Sequence, residues 1–144
     1  MKLFIDRDLG KKLGNALHAV GVDVTNHIKR YPNADAESVP DRQWIPEAAI
    51  HGEVILTRDG DIHRIEAELA AVVSAGARCF VLVTGNARPF DYLRAIMIAW
   101  PQMERLVSEE PAPFMYTINR SGRVSPKYRT GGPVAPEEPQ ASGR

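Results

Sequence analysis

Cysteine is nearly absent from this chain. The single one, Cys79, sits in the apolar run CFVLV. A disulfide framework and a cysteine-based metal site are therefore both excluded, and a reducing cytoplasm is the expected setting. Long hydrophobic runs are missing too, since none approaches the roughly 20 residues of a membrane-spanning helix. The opening MKLFIDRD does not read as a signal peptide, because its apolar stretch ends at an aspartate after Leu3, Phe4 and Ile5. Neither sign of charge is in excess: 18 basic residues balance 18 acidic ones, so whole-chain electrostatics favours no partner. The histidines, His18, His27, His51 and His63, are scattered without metal-ligand spacing, and surface or core roles suit each of them.

What is present fits one soluble domain. The 144 residues can bury a real core but are too few for two ordinary domains, and 44% of them are hydrophobic. Strand-like runs occur at Lys2–Ile5, Val22–Asn26, Val54–Thr57, Cys79–Thr84 and Phe114–Ile118. Helical spacing lies between them. Leu9, Leu13, Ala16, Leu17 and Val20 form one apolar stripe that Gly21 closes. A second helix is marked by Trp44, Ile45, Ala48 and Ala49, with Pro46 expected in its first turn. Ile62, Ile65, Leu69, Val72 and Val73 make a third. Phe90, Leu93, Ile96, Met97, Trp100 and Met103 make a fourth, which Pro101 should kink or end. Strand alternating with helix predicts an α/β fold with a mostly parallel sheet covered on both faces. Lys29–Pro40, aperiodic and carrying two prolines, reads as a loop. From Ser125 onward the chain is rich in Pro, Gly and Ser, so residues 1–124 are expected to form the domain and 125–144 a disordered tail.

Two of the buried-looking strands end in acids. KLFIDRDLG places Asp6 and Asp8 after the first, and VILTRDGD places Asp59 and Asp61 after the third. Asp41, after Pro40, begins the helix of Trp44. Ligands of open parallel sheets bind at the carboxyl ends of the strands, so Asp6, Asp41, Asp59 and Asp61 are candidates for one site. Converging carboxylates repel unless a cation lies among them. Oxygen donors without His or Cys suit a hard ion, Mg²⁺ or Mn²⁺, which would activate water and neutralise charge on a phosphoryl group. Each acid also has a plainer role open to it. Asp8, Asp41 and Asp61 could cap helices, and Gly60 fits a tight turn. Asp6 and Asp59 are harder to explain so, because a carboxylate ending a buried strand needs a partner. Arg7, Arg58 and Arg64 flank the acids and could meet phosphates or pair with the carboxylates. Between Pro111 and Pro136 there is no acid, while Arg120, Arg123, Lys127 and Arg129 fall there. That segment is either a basic patch for a phosphate backbone or a solvated stretch. Trp44 and Trp100 read as core.

FIDRDLGKKLGNAL, VPDRQWI, VILTRDGDIHR with EAEL after it, FVLV and a late AWP occur in this order. Together they resemble the PIN-like domains grouped with VapC-type toxins, over about Lys2 to Val124. The resemblance implies a three-layer α/β/α sandwich, an acidic Mg²⁺- or Mn²⁺-dependent ribonuclease site, RNA as substrate and a cognate antitoxin as partner. Homodimers are common in that group, and the apolar fourth helix could serve. Asp6 corresponds to the first-strand aspartate, Asp41 to the acid at a helix start, Asp59 to the acid after the third strand, and Asp61 to a second acid in a T-R-D-x-D form. Glu68 corresponds to a glutamate of the following helix.

Other readings compete with this one. FIDRD also fits the start of a haloacid-dehalogenase-like phosphatase, with Asp6 as nucleophile, Asp8 as acid/base and Thr84 ending a later strand. No strand-ending acid pair follows Thr84, however, and TRDGD is left without a role. A phosphate-accepting receiver domain would use Asp59 and Thr84, but lacks the lysine expected around MYTINR. The non-enzymatic alternative is a PIN-like domain that binds RNA or protein without cleaving. Against it stand the four acids, since a decayed site has no reason to keep mutually repelling carboxylates.

Overall fold

A computed structural model describes residues 1–33, 39–58 and 62–130, except the side chains of 62–64. A sheet of six strands runs through it: β1 Leu3–Ile5, β2 Val24–Asn26, β3 Val54–Arg58, β4 Arg78–Val83, β5 Phe114–Asn119 and β6 Val124–Tyr128. Their order is β2-β1-β3-β4-β5-β6, with every pairing parallel except β5 with β6. The helices are α1 Gly10–Ala19, α2 His27–Arg30, α3 Asp41–Ile50, α4 Ile62–Ala75 and α5 Pro89–Glu109, and a short 3-10 turn, Arg7–Leu9, follows β1.

Two cores explain the continuous apolar strands. Side chains alternate across the sheet, so Leu3, Ile5, Leu56, Phe80 and Leu82 pack against Leu13 and Leu17 of α1 and Ala95, Ile96 and Met103 of α5. Phe4, Ile55, Cys79, Val81 and Met115 face the other way, onto Trp44, Ile45 and Ala48 of α3 and Ile65 and Val72 of α4. The result is the expected three-layer α/β/α sandwich around a mostly parallel sheet.

Several local expectations are corrected. α3 starts at Asp41, so Pro46 lies in its second turn rather than its first. Pro101 neither kinks α5 to an early end nor stops it; the helix runs through to Glu109. Pro101 and Met97 both lie on the exposed side, where the carbonyl four residues back can be hydrated. Val20, grouped with the apolar stripe of α1, is 70% exposed. The domain boundary expected after Val124 falls inside β6, whose Ser125–Tyr128 pair with β5. A Pro-containing strand is tolerated at that position because β6 is an edge strand, where Pro126, which has no N–H to donate, leaves no second neighbouring strand short of a bond. The remainder of the expected tail, 131–144, lies outside the described residues.

The β5–β6 turn is tied to α5 at one glycine. Gly122 has φ +84°, and a Cβ there would stand 2.5 Å from Cγ2 of Ile98 and 3.2 Å from the carbonyl oxygen of Ala95. Gly122→Ala should therefore destabilise the fold by about 1–3 kcal/mol through overpacking on top of the positive φ. Denaturant unfolding measures this directly; an unchanged midpoint would mean that the turn is not packed on α5 in solution.

Candidate active site

The register of the sheet decides what meets what at its carboxyl edge. Ile5 pairs with Leu56, so the next residues along, Asp6 and Thr57, stand side by side on the α3/α4 face. Thr57, fully buried, donates its hydroxyl to Oδ2 of Asp6 at 2.9 Å, and the Arg7 N–H donates to Oδ1 at 2.7 Å. Asp6 is 5% exposed, and these donors are the partners that a buried carboxylate requires. They also make Asp6, not Asp8, the residue that caps the turn after β1. The N-terminus of α1 is headed by Leu9 without a side-chain cap.

Asp41 arrives from a different element. It is the first residue of α3, following Pro40 at the N-cap, and makes no capping bond to the helix backbone. Its Oδ1 instead accepts from the indole N–H of Trp44 at 3.0 Å. Asp6 and Asp41, together with Arg7, Asp8, His27, Val39 and Trp44, line a pocket of about 250 Å³. A larger hollow of about 590 Å³ lies by Met1 and the last turns of α5, lined by Glu104, Arg105, Val107 and Ser108. That is the amino edge of the strands, away from the acids, and the smaller pocket is the one with chemistry.

The wall of the acid pocket is aromatic and rigid. Trp44 stacks on Phe4 with centroids 5.4 Å apart and meets the edge of His27 at 6.0 Å; His27 in turn packs on Tyr31. Behind them Arg30 lies over the Phe4 ring and forms two bonds, of 2.6 and 2.8 Å, to the buried carboxylate of Glu53. Tyr31 donates its hydroxyl to Glu47. Burial pushes the His27 imidazole below its usual value, against the opposing pull of the Asp6 and Asp41 carboxylates. His27 and Trp44, read from sequence as core or surface, are thus both core and pocket lining. Spacing alone carried no signal for His27, because α2 is a four-residue helix that runs into the segment expected to be loop, and Trp44 gave only the signal of a core face.

Other expected residues are distributed more widely. Asp59 and Asp61 lie outside the described residues, as does the side chain of Arg64 in the first turn of α4. Glu68 of α4 is 2% exposed. Burial chiefly, and then the charges of Glu68, Asp6 and Asp8, raise the Cys79 thiol well above its usual range. Arg7 lines the pocket. Arg58 alternates to the opposite face and donates to the Tyr92 hydroxyl of α5 at 2.9 Å. Arg120 and Arg123 sit in the β5–β6 turn, which Asn119 organises by accepting from the Ser121 and Arg123 backbone N–H groups. β5 is three strands from β1, roughly 14 Å at usual strand spacing, so the turn shares the edge without entering the pocket. Arg120 there donates to the Asn86 carbonyl and pairs with Asp91.

Asp6, Asp8 and Asp41 bring carboxylate oxygens to the pocket lining, the chemistry a hard divalent ion takes, beside the His27 imidazole. Among the described residues no group of three or more His, Cys, Asp and Glu is arranged to hold a metal; two of the expected four acids fall outside that set. No helix among the described residues is long and apolar enough to cross a membrane.

A family profile described as "PIN like domain" matches residues 1–84, the span from β1 through β4 that carries the acid pocket. The chain is also 29% identical over 120 residues to a Mycobacterium tuberculosis protein named "Putative ribonuclease VapC45", covering 83% of this chain and 86% of that one. No solved structure matches.

Two outcomes follow from this geometry. Thr57→Val removes a donor from a buried charged group and should cost about 1.5–3 kcal/mol. Thr57→Ser should recover most of it in urea unfolding, and equal stability of all three proteins would rule the bond unimportant. At the neighbouring edge, bonds from the Arg88 backbone and side chain, with weaker help from Arg120, hold the Asp91 carboxyl below its usual 3.8. A depressed carboxyl stabilises the fold above its unfolded value and loses that contribution as pH falls through the folded one. The melting-temperature gap between wild type and Asp91→Asn should thus be present near neutrality and shrink below pH 3.8; a gap unchanged by acid would contradict the assignment.

Proposed function

Since the chain belongs to the PIN-like domain family, we propose that it is a ribonuclease that hydrolyses RNA phosphodiester bonds at the strand-edge pocket with Mg²⁺ or Mn²⁺. The observation that carries this reading is the meeting of Asp6 and Asp41, from β1 and α3, in one pocket at the carboxyl edge of a parallel sheet. The name of the mycobacterial relative points to the same substrate. Asp6 and Asp41 would hold the ion, with Asp59 and Asp61 following β3 in sequence to complete the set. When bound, such an ion supplies Lewis acidity and an activated water at neutral pH.

The chain's own residues then have separable tasks. Thr57 and the Arg7 N–H orient the Asp6 carboxylate. Arg7 sits in the pocket wall, where a guanidinium favours a phosphate group. Arg58, Arg64, Arg120 and Arg123 would carry the flanking backbone along the same edge, the first through its place beside α5 and the last two from the β5–β6 turn. In this reading the protein acts in the cytoplasm as the toxin of a toxin–antitoxin pair. The exposed apolar residues of α5, Phe90, Met97 and Ile98, offer a surface for a protein partner or a second copy. The dehalogenase-like alternative has no support from the family match, and Asp8 lies in the 3-10 turn.

The purified protein should cut structured RNA with Mg²⁺ or Mn²⁺ and stop on addition of EDTA. Asp41→Asn and Asp59→Asn should each reduce cleavage to background while RNA is still bound. That binding should weaken as salt rises, because phosphate contacts release counterions. Cleavage that survives both EDTA and Asp41→Asn would refute the metal site. RNA binding without any cleavage would leave a pure binder.

A further inference from the structure

We infer that Trp44 is a positioning residue for the divalent-ion site: its indole N–H fixes the Asp41 carboxylate. This rests on the reading of Asp41 as an ion-holding group. Asp41 occupies the first position of α3, where Pro40 and not Asp41 is the N-cap and no capping bond restrains the carboxylate. The bond from Nε1 of Trp44 to Oδ1, 3.0 Å long, is what holds it. It engages one oxygen of the two, as suits a carboxylate whose other oxygen serves a ligand.

The donor is itself immobile. Trp44 is 2% exposed, stacked on Phe4 at an interplanar angle of 26° and met edge-on by His27 at 78°. Phe4 belongs to β1 two residues before Asp6, so the ring that seats Trp44 is in the same strand as the other acid. Through this stack the spacing of Asp6 and Asp41 is set by core packing rather than by a loop. Residues that orient metal-holding side chains in this way typically change metal affinity by about 10- to 100-fold when removed. A buried indole N–H also requires an acceptor of its own, so a purely structural role for the pair is the competing account. Trp44→Phe separates the two, because it keeps an aromatic ring on Phe4 and deletes the donor; the ring volume lost with it is read separately in the unfolding curves.

The test is Mn²⁺ affinity by calorimetry for wild type, Trp44→Phe, Asp41→Ala and the double variant, with unfolding curves to match their folded fractions. The expected result is a loss of about 10- to 100-fold in Trp44→Phe, with no further loss when Asp41 is already alanine, since the effect runs through that carboxylate. Wild-type affinity in Trp44→Phe, or an equal loss in the Asp41→Ala background, overturns the inference while leaving the metal site standing. A wild type that binds no Mn²⁺ overturns both. Should Trp44→Phe not fold, the unmodified protein decides. The chain has two tryptophans, and in a Mg²⁺ titration followed by NMR the indole N–H of Trp44 should shift while that of Trp100, on α5, stays in place. A Trp44 resonance that does not move as Mg²⁺ binds refutes the assignment.

Discussion

The hydrogen bond between Thr57 and Asp6 joins two parallel strands at the point where both leave the sheet, and most of the candidate site is arranged around it. A carboxylate with so little access to water would be costly unless donors met it. The donors come from the adjacent strand and from the backbone of the turn that Asp6 itself begins. Because strand pairing has a side-chain period of two, a shift of β1 against β3 by a single residue would carry Asp6 away from Thr57 and send Phe4 to the wrong core. Register, core and site are one constraint seen from different distances.

Phe4 is where that constraint passes into the helical layer. Its ring meets both Trp44, stacked on it, and the guanidinium of Arg30. Arg30 is in turn fixed by Glu53, the residue just before β3. Glu53 is buried and Arg30 only partly so, and losing Arg30 would leave the Glu53 carboxylate buried without it. A short helix, α2, is thereby pinned beneath the pocket, and its first residue, His27, becomes part of the wall. The polar groups below the site serve to hold aromatic surfaces in place, and those surfaces hold Asp41.

The cationic residues follow a different logic. Arg58 has its side chain on the α5 face because successive residues of β3 alternate, and Thr57 already occupies the other face. Arg120 is drawn to Asp91 and the Asn86 carbonyl at the start of α5. The edge is therefore basic on the side of α5 and acidic on the side of α3.

The α/β class, the continuous apolar strands and the helix stripes were legible in the sequence, because alternation and helical periodicity are imposed by burial and survive in the order of residues. So was the pairing of a strand-end Asp6 with a helix-start Asp41, since acids that interrupt apolar patterns are visible one by one. The place of Pro46 in the second turn of α3, the passage of α5 through Pro101 and the edge strand containing Pro126 were not. In each, local preference was overridden by packing or by an unpaired edge that only the assembled sheet provides. The roles of His27, Trp44 and Thr57 were equally hidden. Nothing in their spacing marks them, and each acquires its contacts by standing next to a residue far away in the chain or by being seated on a ring that comes from another strand. Sequence alone determined which residues could do chemistry; tertiary packing decided which of them meet, because contact depends on register and layer, and neither is written at any single position.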